Sequence, residues 1–195
     1  NRSAKAGEMA EKTRYFLALS DFYSGDYEFS AIQLKSLGRQ YTSYYANDAL
    51  ELRLWLQAIN AMDSTAQVNI AFPRAMLEEL KGNHTKAEAM LWEIARNQSN
   101  PFSEYSFVVL YSLGANLEEY VTSLDKYLVD QKNTPLREQL MWLRAQAALH
   151  LNAQDSSSVS SDALYSYYEE LILSFPNGFY SPLARKALND LNIPS

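Results

Sequence analysis

Cysteine is absent from the 195 residues, which removes disulfides, thiolate metal sites and a cysteine nucleophile together. Glycine and proline number six each, too few for the turns of a sandwich or barrel of many short strands. Histidine occurs only as His84 and His150. Neither a His-x-x-x-His nor a His-Glu-x-x-His spacing is present, so a catalytic zinc site lacks its ligands and no cofactor is expected. Gly-x-Ser-x-Gly and a glycine-rich phosphate loop are missing as well. Lys and Arg total 17 against 23 Asp and Glu, a net charge of −6. The cations are scattered, so a phosphate backbone finds no basic stripe and nucleic acid is not an expected partner. No apolar run approaches the roughly 18 residues that would span a membrane, and the N-terminal stretch lacks the apolar core of a signal peptide. The first residue is Asn1 rather than Met, which leads us to expect an upstream segment; a signal peptide, a lipid anchor and another domain are all open for it.

What remains is helix-rich. Hydrophobic residues make up 47% and charged residues 21%, the balance of a globular chain, and Ala, Leu, Glu, Gln, Lys and Arg favour helix. Apolar residues recur at helical spacing almost everywhere, and period-two alternation is scarce. The pattern predicts about ten helices in one domain. The first covers Ala6 to Ser24 with Met9, Phe16, Leu19 and Tyr23 on its apolar face, and stops at Gly25. The second covers Tyr27 to Gln40 with Ile32, Leu34 and Leu37 buried. A third follows as Ala49 to Asn60. The next, from Ala66 to Lys81, carries Pro73 in mid-pattern and is expected to kink there. Further helices follow from His84, Phe102 and Asn116, the second of these stopping at Gly114. The eighth begins with Thr134 as N-cap and Pro135 at its first position. A polar loop from Asn152 to Ser161 precedes the last two.

The glycine turns recur. Gly82 to Gly114 is 32 residues, and Gly25 to Gly82 is 57, about one such unit plus an extra helix. A period near 34 residues marks stacked helical hairpins. Five and nine residues after each glycine, "GNHTKAEAML" places Ala87 and Leu91, and "GDYEFSAIQL" places Ser30 and Leu34, with Tyr27 two after Gly25. "DALYSYY" offers Ala163 and Tyr167 in the same relation. Glu119, five after Gly114, departs from the pattern and indicates a shifted register.

These motifs resemble the tetratricopeptide repeat (TPR) family over nearly the whole chain. The resemblance implies an all-α fold, an α-solenoid of TPR-like antiparallel helix pairs with a C-terminal capping helix, in a single domain over residues 1–195 of a longer chain. A second correspondence joins Tyr44-Tyr45-Ala46 to Phe179-Tyr180-Ser181 and Ala49 to Ala184, with Tyr41-Thr42-Ser43 answering Phe175-Pro176-Asn177. It resembles the inter-repeat linker of bacterial envelope TPR proteins, with Thr42 where those carry proline. That points to the periplasm or cell envelope, with the cytoplasm as alternative.

Catalysis finds little support. His84 reads as a helix-start residue and His150 as one near a helix C-terminus, where an imidazolium suits the dipole. The pairs Glu78-Glu79, Glu118-Glu119 and Glu169-Glu170 point about 100° apart on a helix and do not converge on one proton. The sequons at Asn83 and Asn97 are at the level of chance. Tyrosine is the excess, fourteen residues beside Trp55, Trp92 and Trp142. Most of these rings belong between paired helices, and the remainder suits an interface.

In TPR proteins the first helix of each pair lines the concave face. Carried over, those positions are Tyr15, Leu19 and Phe22, then Asn69, Phe72, Met76 and Glu79, then Glu104, Val108 and Tyr111. They imply a mixed apolar and acidic groove for a peptide or protein partner with aliphatic and basic side chains. The expected function is a non-catalytic protein-interaction scaffold. Two alternatives stay open: a structural or oligomerisation domain packing on its own chain, and a helical small-ligand domain walled by the three tryptophans.

Overall fold

The computed structural model describes residues 2–37, 44–60, 70–154 and 159–191. Among them lie ten helices and no strand: α1 (Arg2–Ser24), α2 (Tyr27–Leu37), α3 (Ala46–Asn60), α4 (Ala71–Leu80), α5 (His84–Arg96), α6 (Ser103–Ser112), α7 (Leu117–Asp130), α8 (Arg137–Gln154), α9 (Ser161–Ser174) and α10 (Ser181–Leu191). They fall into two compact units, residues 1–90 and 91–195.

Three turns are built alike. Gly25, Gly82 and Gly114 have φ of 85°, 80° and 72°, the left-handed region that a side chain disfavours. At each, the residue after the glycine donates its N–H five residues back in the Schellman manner: Asp26 to Asp21, Asn83 to Glu78 and Ala115 to Leu110, at 2.8, 2.9 and 3.1 Å. The following helix then starts at once, so each turn folds the chain into an antiparallel hairpin. Side-chain caps help elsewhere. Asn116 accepts from the Glu119 N–H at 2.9 Å, and Ser160 from that of Ala163 at 3.1 Å.

In the first unit α1 packs on α2, α2 on α3, and α1 on α4. Ser30, fully buried, donates its hydroxyl to the Ala18 carbonyl at 2.7 Å. A small residue there lets the α1 and α2 backbones approach. Ser30, Leu34 and Leu37 face the core at helical spacing, joined by Ala18, Leu19 and Phe22. Ile32 is 57% exposed, against expectation. It lies 200° round the helix from both Ser30 and Leu34, so it cannot share their face. Met9 and Phe16 are exposed too. The eleven residues of α2 reach back only about 16 Å along α1, short of Met9, and Phe16 is rotated away from Phe22. Trp55 of α3 packs between Phe22 and Phe72, with ring centroids at 5.7 and 5.1 Å. Pro73 does not kink a helix. It sits in the first turn of α4, where an amide hydrogen would have no helical acceptor; Ala66 to Asn69 lie outside the described residues.

In the second unit α6 packs on α7 and α8, α7 on α8, α8 on α9 and α9 on α10, an all-α helical-repeat arrangement whose last helix is a cap. The shifted register after Gly114 is real. Tyr120, not Glu119, enters the core, and its hydroxyl donates to the Phe107 carbonyl at 3.0 Å. A tyrosine thus fills, between α6 and α7, the place that a serine takes between α1 and α2. The register near Ala163 and Tyr167 also shifts by one, since Leu164 and Tyr168 are the buried pair. Thr134 and Pro135 precede α8 rather than opening it. The Leu136 N–H is instead accepted by the Glu104 carboxylate at 2.8 Å, which sets the helix start at Arg137. The polar loop is shorter than expected because α8 continues to Gln154; residues 155–158 lie outside the described ones.

Candidate partner-binding surface

The groove positions divide by burial. In the first unit Leu19, Phe22 and Phe72 belong to the core, the two phenylalanines with no exposed surface. Tyr15, Met76 and Glu79 remain half-exposed. Glu79 bonds His84 at 2.6 Å, which ties α4 to the first residue of α5. Its neighbour Glu78 accepts from Asn83 and Lys81 and pairs with Lys86. These donors pull the Glu78 carboxyl down from 4.5 to about 2, the Asn83 amide first among them. Asn69 lies outside the described residues.

In the second unit Glu104, Val108 and Tyr111 are all half-exposed and form one i, i+4, i+7 stripe on α6. The stripe runs beside the buried face of Ser103, Ser106, Phe107 and Leu110; its Glu104 end bonds Leu136, just before α8, and its Tyr111 end meets His150 of α8. Burial raises the Glu104 carboxyl, against the opposing pull of the Leu136 N–H and the Thr134 side chain. The Tyr111 ring lies parallel to His150 at 6.4 Å, its hydroxyl 3.5 Å from Nδ1. This pair walls a cleft of about 640 Å³ with Leu117, Glu118, Leu151 and Gln154.

The tryptophans pack within their own units. Trp92 meets Phe107 and Tyr120 edge-on and carries the Arg96 guanidinium 5.2 Å above its ring; Arg96 also pairs with Glu119. Trp142 stacks on Tyr180 at 5.6 Å.

Sequence reasoning missed Arg144. Its side chain is 5% exposed and bridges Asp125 of α7 at 3.1 Å and Glu170 of α9 at 2.5 Å. The guanidinium also lies 4.3 Å over the Tyr167 ring, whose hydroxyl donates to Asp125 at 2.9 Å. Burial and the Asp125 hydrogen bond hold the Tyr167 hydroxyl up at about 12. The signal was available: Arg144 stands among Leu140, Met141, Ala145 and Ala148 on an otherwise apolar face. With its two terminal nitrogens held by carboxylates and its plane over a ring, this arginine fastens three helices together, while its buried Nε–H has no partner among the described residues.

Of the two linker segments matched in the sequence, Tyr44 to Ala49 and Phe179 to Ala184 also match in ring geometry, while Gln40 to Ser43 lie outside the described residues. Tyr44 meets Tyr45 edge-on at 5.2 Å and 74°, and Tyr45 stacks on Tyr15 of α1 at 5.1 Å and 18°. Phe179 meets Tyr180 edge-on at 5.0 Å and 84°, and Tyr180 stacks on Trp142 of α8 at 5.6 Å and 16°. The first ring of each step stands out in solvent, Tyr44 at 83% and Phe179 at 79% exposure. Ala49 and Ala184, the matched alanines, are both buried.

Among the described residues no group of three His, Cys, Asp or Glu side chains could hold a metal ion, and no helix is long and apolar enough to cross a membrane. The fold thus defines an all-α protein of paired, repeating helices. Comparison with known proteins adds no relative: no family model, curated protein or solved structure gives a significant match to the chain.

Proposed function

We propose that the chain is a non-catalytic protein-interaction scaffold, a TPR-like domain over residues 1–195 that binds a peptide or partner protein on the inner face of its helix pairs. The observation that carries this reading is the half-exposed stripe of Glu104, Val108 and Tyr111 on α6. Helix faces that only need to fill a core are buried, and this stripe is not. It combines a carboxylate, an aliphatic side chain and an aromatic with a polar tip, a set that suits aliphatic and basic side chains of a partner. Tyr15, Met76 and Glu79 offer the same mixture in the first unit. The linker likeness supports a place in the bacterial periplasm or cell envelope.

Selection from a random displayed-peptide library tests the reading. Enrichment of sequences with aliphatic and basic residues is expected, with binding reduced at least about tenfold by Val108→Asp while the far-ultraviolet circular dichroism stays unchanged. Selection that yields no sequence preference, or binders indifferent to Val108→Asp, contradicts it. A second reading, packing of the α9–α10 end on other parts of the same chain, is favoured by exposed Leu173, Phe179 and Leu183. A domain that sediments strictly as a monomer and gains no stability from the rest of its chain argues against it.

A further inference from the structure

The two aromatic steps share their ring geometry and differ in their electrostatic surroundings. Tyr45 and Tyr180 are the structural members, each pinned parallel to a ring of an earlier helix. That pinning accounts for the second ring of each step and leaves the first unexplained. Tyr44 keeps 83% of its surface in water, and an aromatic so exposed contributes little to folding.

Beside the first step lies a cleft of about 450 Å³, walled by Glu8, Met9 and Lys12 of α1 and by Tyr44 and Tyr45. Met9 is 65% exposed and Phe16, edge-on to Tyr45 at 6.0 Å, is 46% exposed. Apolar surface is therefore continuous with the rings. The charges are one-sided. Glu8 and Lys12 stand one helical turn apart on α1 and offset each other, while Asp48 and Glu51 of α3 follow Tyr44 at i+4 and i+7, on the side of the helix from which that ring leaves. Both carboxylates raise the Tyr15 hydroxyl above its usual value, after burial, which is the largest cause. The Glu51 carboxyl is itself raised, first by desolvation and then by Asp48. Two like charges that oppose each other beside exposed aromatic faces form a surface which an added cation would relieve. The second step has the opposite surroundings: its carboxylate, Glu138, is engaged with the Tyr180 N–H at 2.7 Å, and Arg185 bonds the Pro176 carbonyl at 3.0 Å.

We infer that the Tyr15–Tyr45–Tyr44 step and its cleft form a docking site for an arginine side chain of a partner peptide. A guanidinium is planar, stacks on an aromatic face and can bridge two carboxylates, which a point-charge ammonium does less well. Met9 and Phe16 provide the apolar surface for the residue next to it. The inference deepens the scaffold reading and rests on it for the idea that the ligand is a peptide.

The probe is a blocked pentapeptide, Gly-Leu-Arg-Leu-Gly, with otherwise identical peptides carrying lysine or citrulline at the centre, titrated into the full chain by nuclear magnetic resonance. Shifts are expected at Tyr44, Tyr45 and Asp48. The lysine peptide should bind about threefold more weakly and the uncharged citrulline peptide about tenfold more weakly. Tyr44→Ala, which removes an exposed ring and leaves the fold intact, should weaken arginine binding about fivefold, and Asp48→Asn with Glu51→Gln should remove the preference over citrulline. Phe179→Ala should change nothing. Equal binding of arginine and citrulline peptides, insensitivity to Tyr44→Ala, or no shifts at these residues overturns the site. Failure here leaves the α6 stripe and its Val108→Asp test untouched, so the two ideas fail separately.

Discussion

Tyr45 and Tyr180 occupy matching places in two linkers, and each stacks on an earlier helix, Tyr45 on Tyr15 and Tyr180 on Trp142. The shared part is a fastening device: a ring carried at the entry to a helix lies flat on a ring of a helix already in place, and a buried alanine four residues on, Ala49 or Ala184, lets the new helix approach. The parts that differ concern function and local fit. The second step is tightened by Glu138, which accepts the Tyr180 N–H and whose carboxylate fills the space where a Cβ on residue 178 would stand. That requirement explains the extra glycine, Gly178, in the second linker. The first step has a cleft and, on α3, the carboxylates Asp48 and Glu51 in place of that contact. Identical ring geometry therefore serves architecture in both places, and only the first also presents a charged surface.

The comparison can be broken most strongly at its structural ring pairs. Trp142→Ala should lower stability by about 2–3 kcal/mol, less than the ~3–5 of a fully buried aromatic because the indole is half-exposed, and Tyr15→Ala by about 1–2 kcal/mol; urea unfolding measures both. If Tyr15→Ala proves neutral, the first step is not a fastener. Next, Gly178→Ala should cost about 1 kcal/mol, because the Glu138 carboxylate must swing away and give up its bond to Tyr180, and Glu138→Ala should cost nearly as much while making Gly178→Ala harmless. The exposed rings come after these. Tyr44→Ala and Phe179→Ala should each change stability by under about 0.5 kcal/mol.

The smallest effect is a pH dependence that the first step alone should show. The folded-state pKa of Glu51 is raised, so the folded chain holds this proton more tightly than the unfolded chain. Stability from this group is present below its ordinary value of 4.5 and falls as pH rises through the raised value. Glu51→Gln should consequently raise the melting temperature at neutral pH, with the gain shrinking towards zero under acid conditions. A constant difference across that range removes Glu51 as the source.

Features that depend on a few neighbouring residues were legible in the sequence. Gly25, Gly82 and Gly114 were readable as turns because a positive φ is a local demand that glycine meets at least cost. Ser30 with Leu34 and Ala87 with Leu91 were readable as core pairs because their spacing is helical. Features decided by neighbours distant in the chain were not. Ile32 and Leu34 both look buriable until a particular helix occupies one side of α2. Pro73 and Pro135 could equally sit inside or ahead of a helix, and the acceptance of the Leu136 N–H by Glu104, 32 residues away, decides the second case. Arg144 on an apolar face was visible, but its partners on α7 and α9 were not. Of the groove positions, the pattern could not separate Phe22 and Phe72, which fill the core, from Tyr15, Met76, Glu79, Glu104, Val108 and Tyr111, which keep exposed surface. The linker match located both aromatic steps without revealing which earlier ring each would meet.

The scaffold reading is tested most directly by hydrogen–deuterium exchange of the chain with and without the tightest peptide from a library selection. Slowed exchange across residues 104–111 of α6, with the helices fastened by Arg144 unchanged, is the predicted result. An exchange pattern that the peptide leaves unaltered along α6, or that changes only elsewhere, would contradict the claim that this stripe receives a partner.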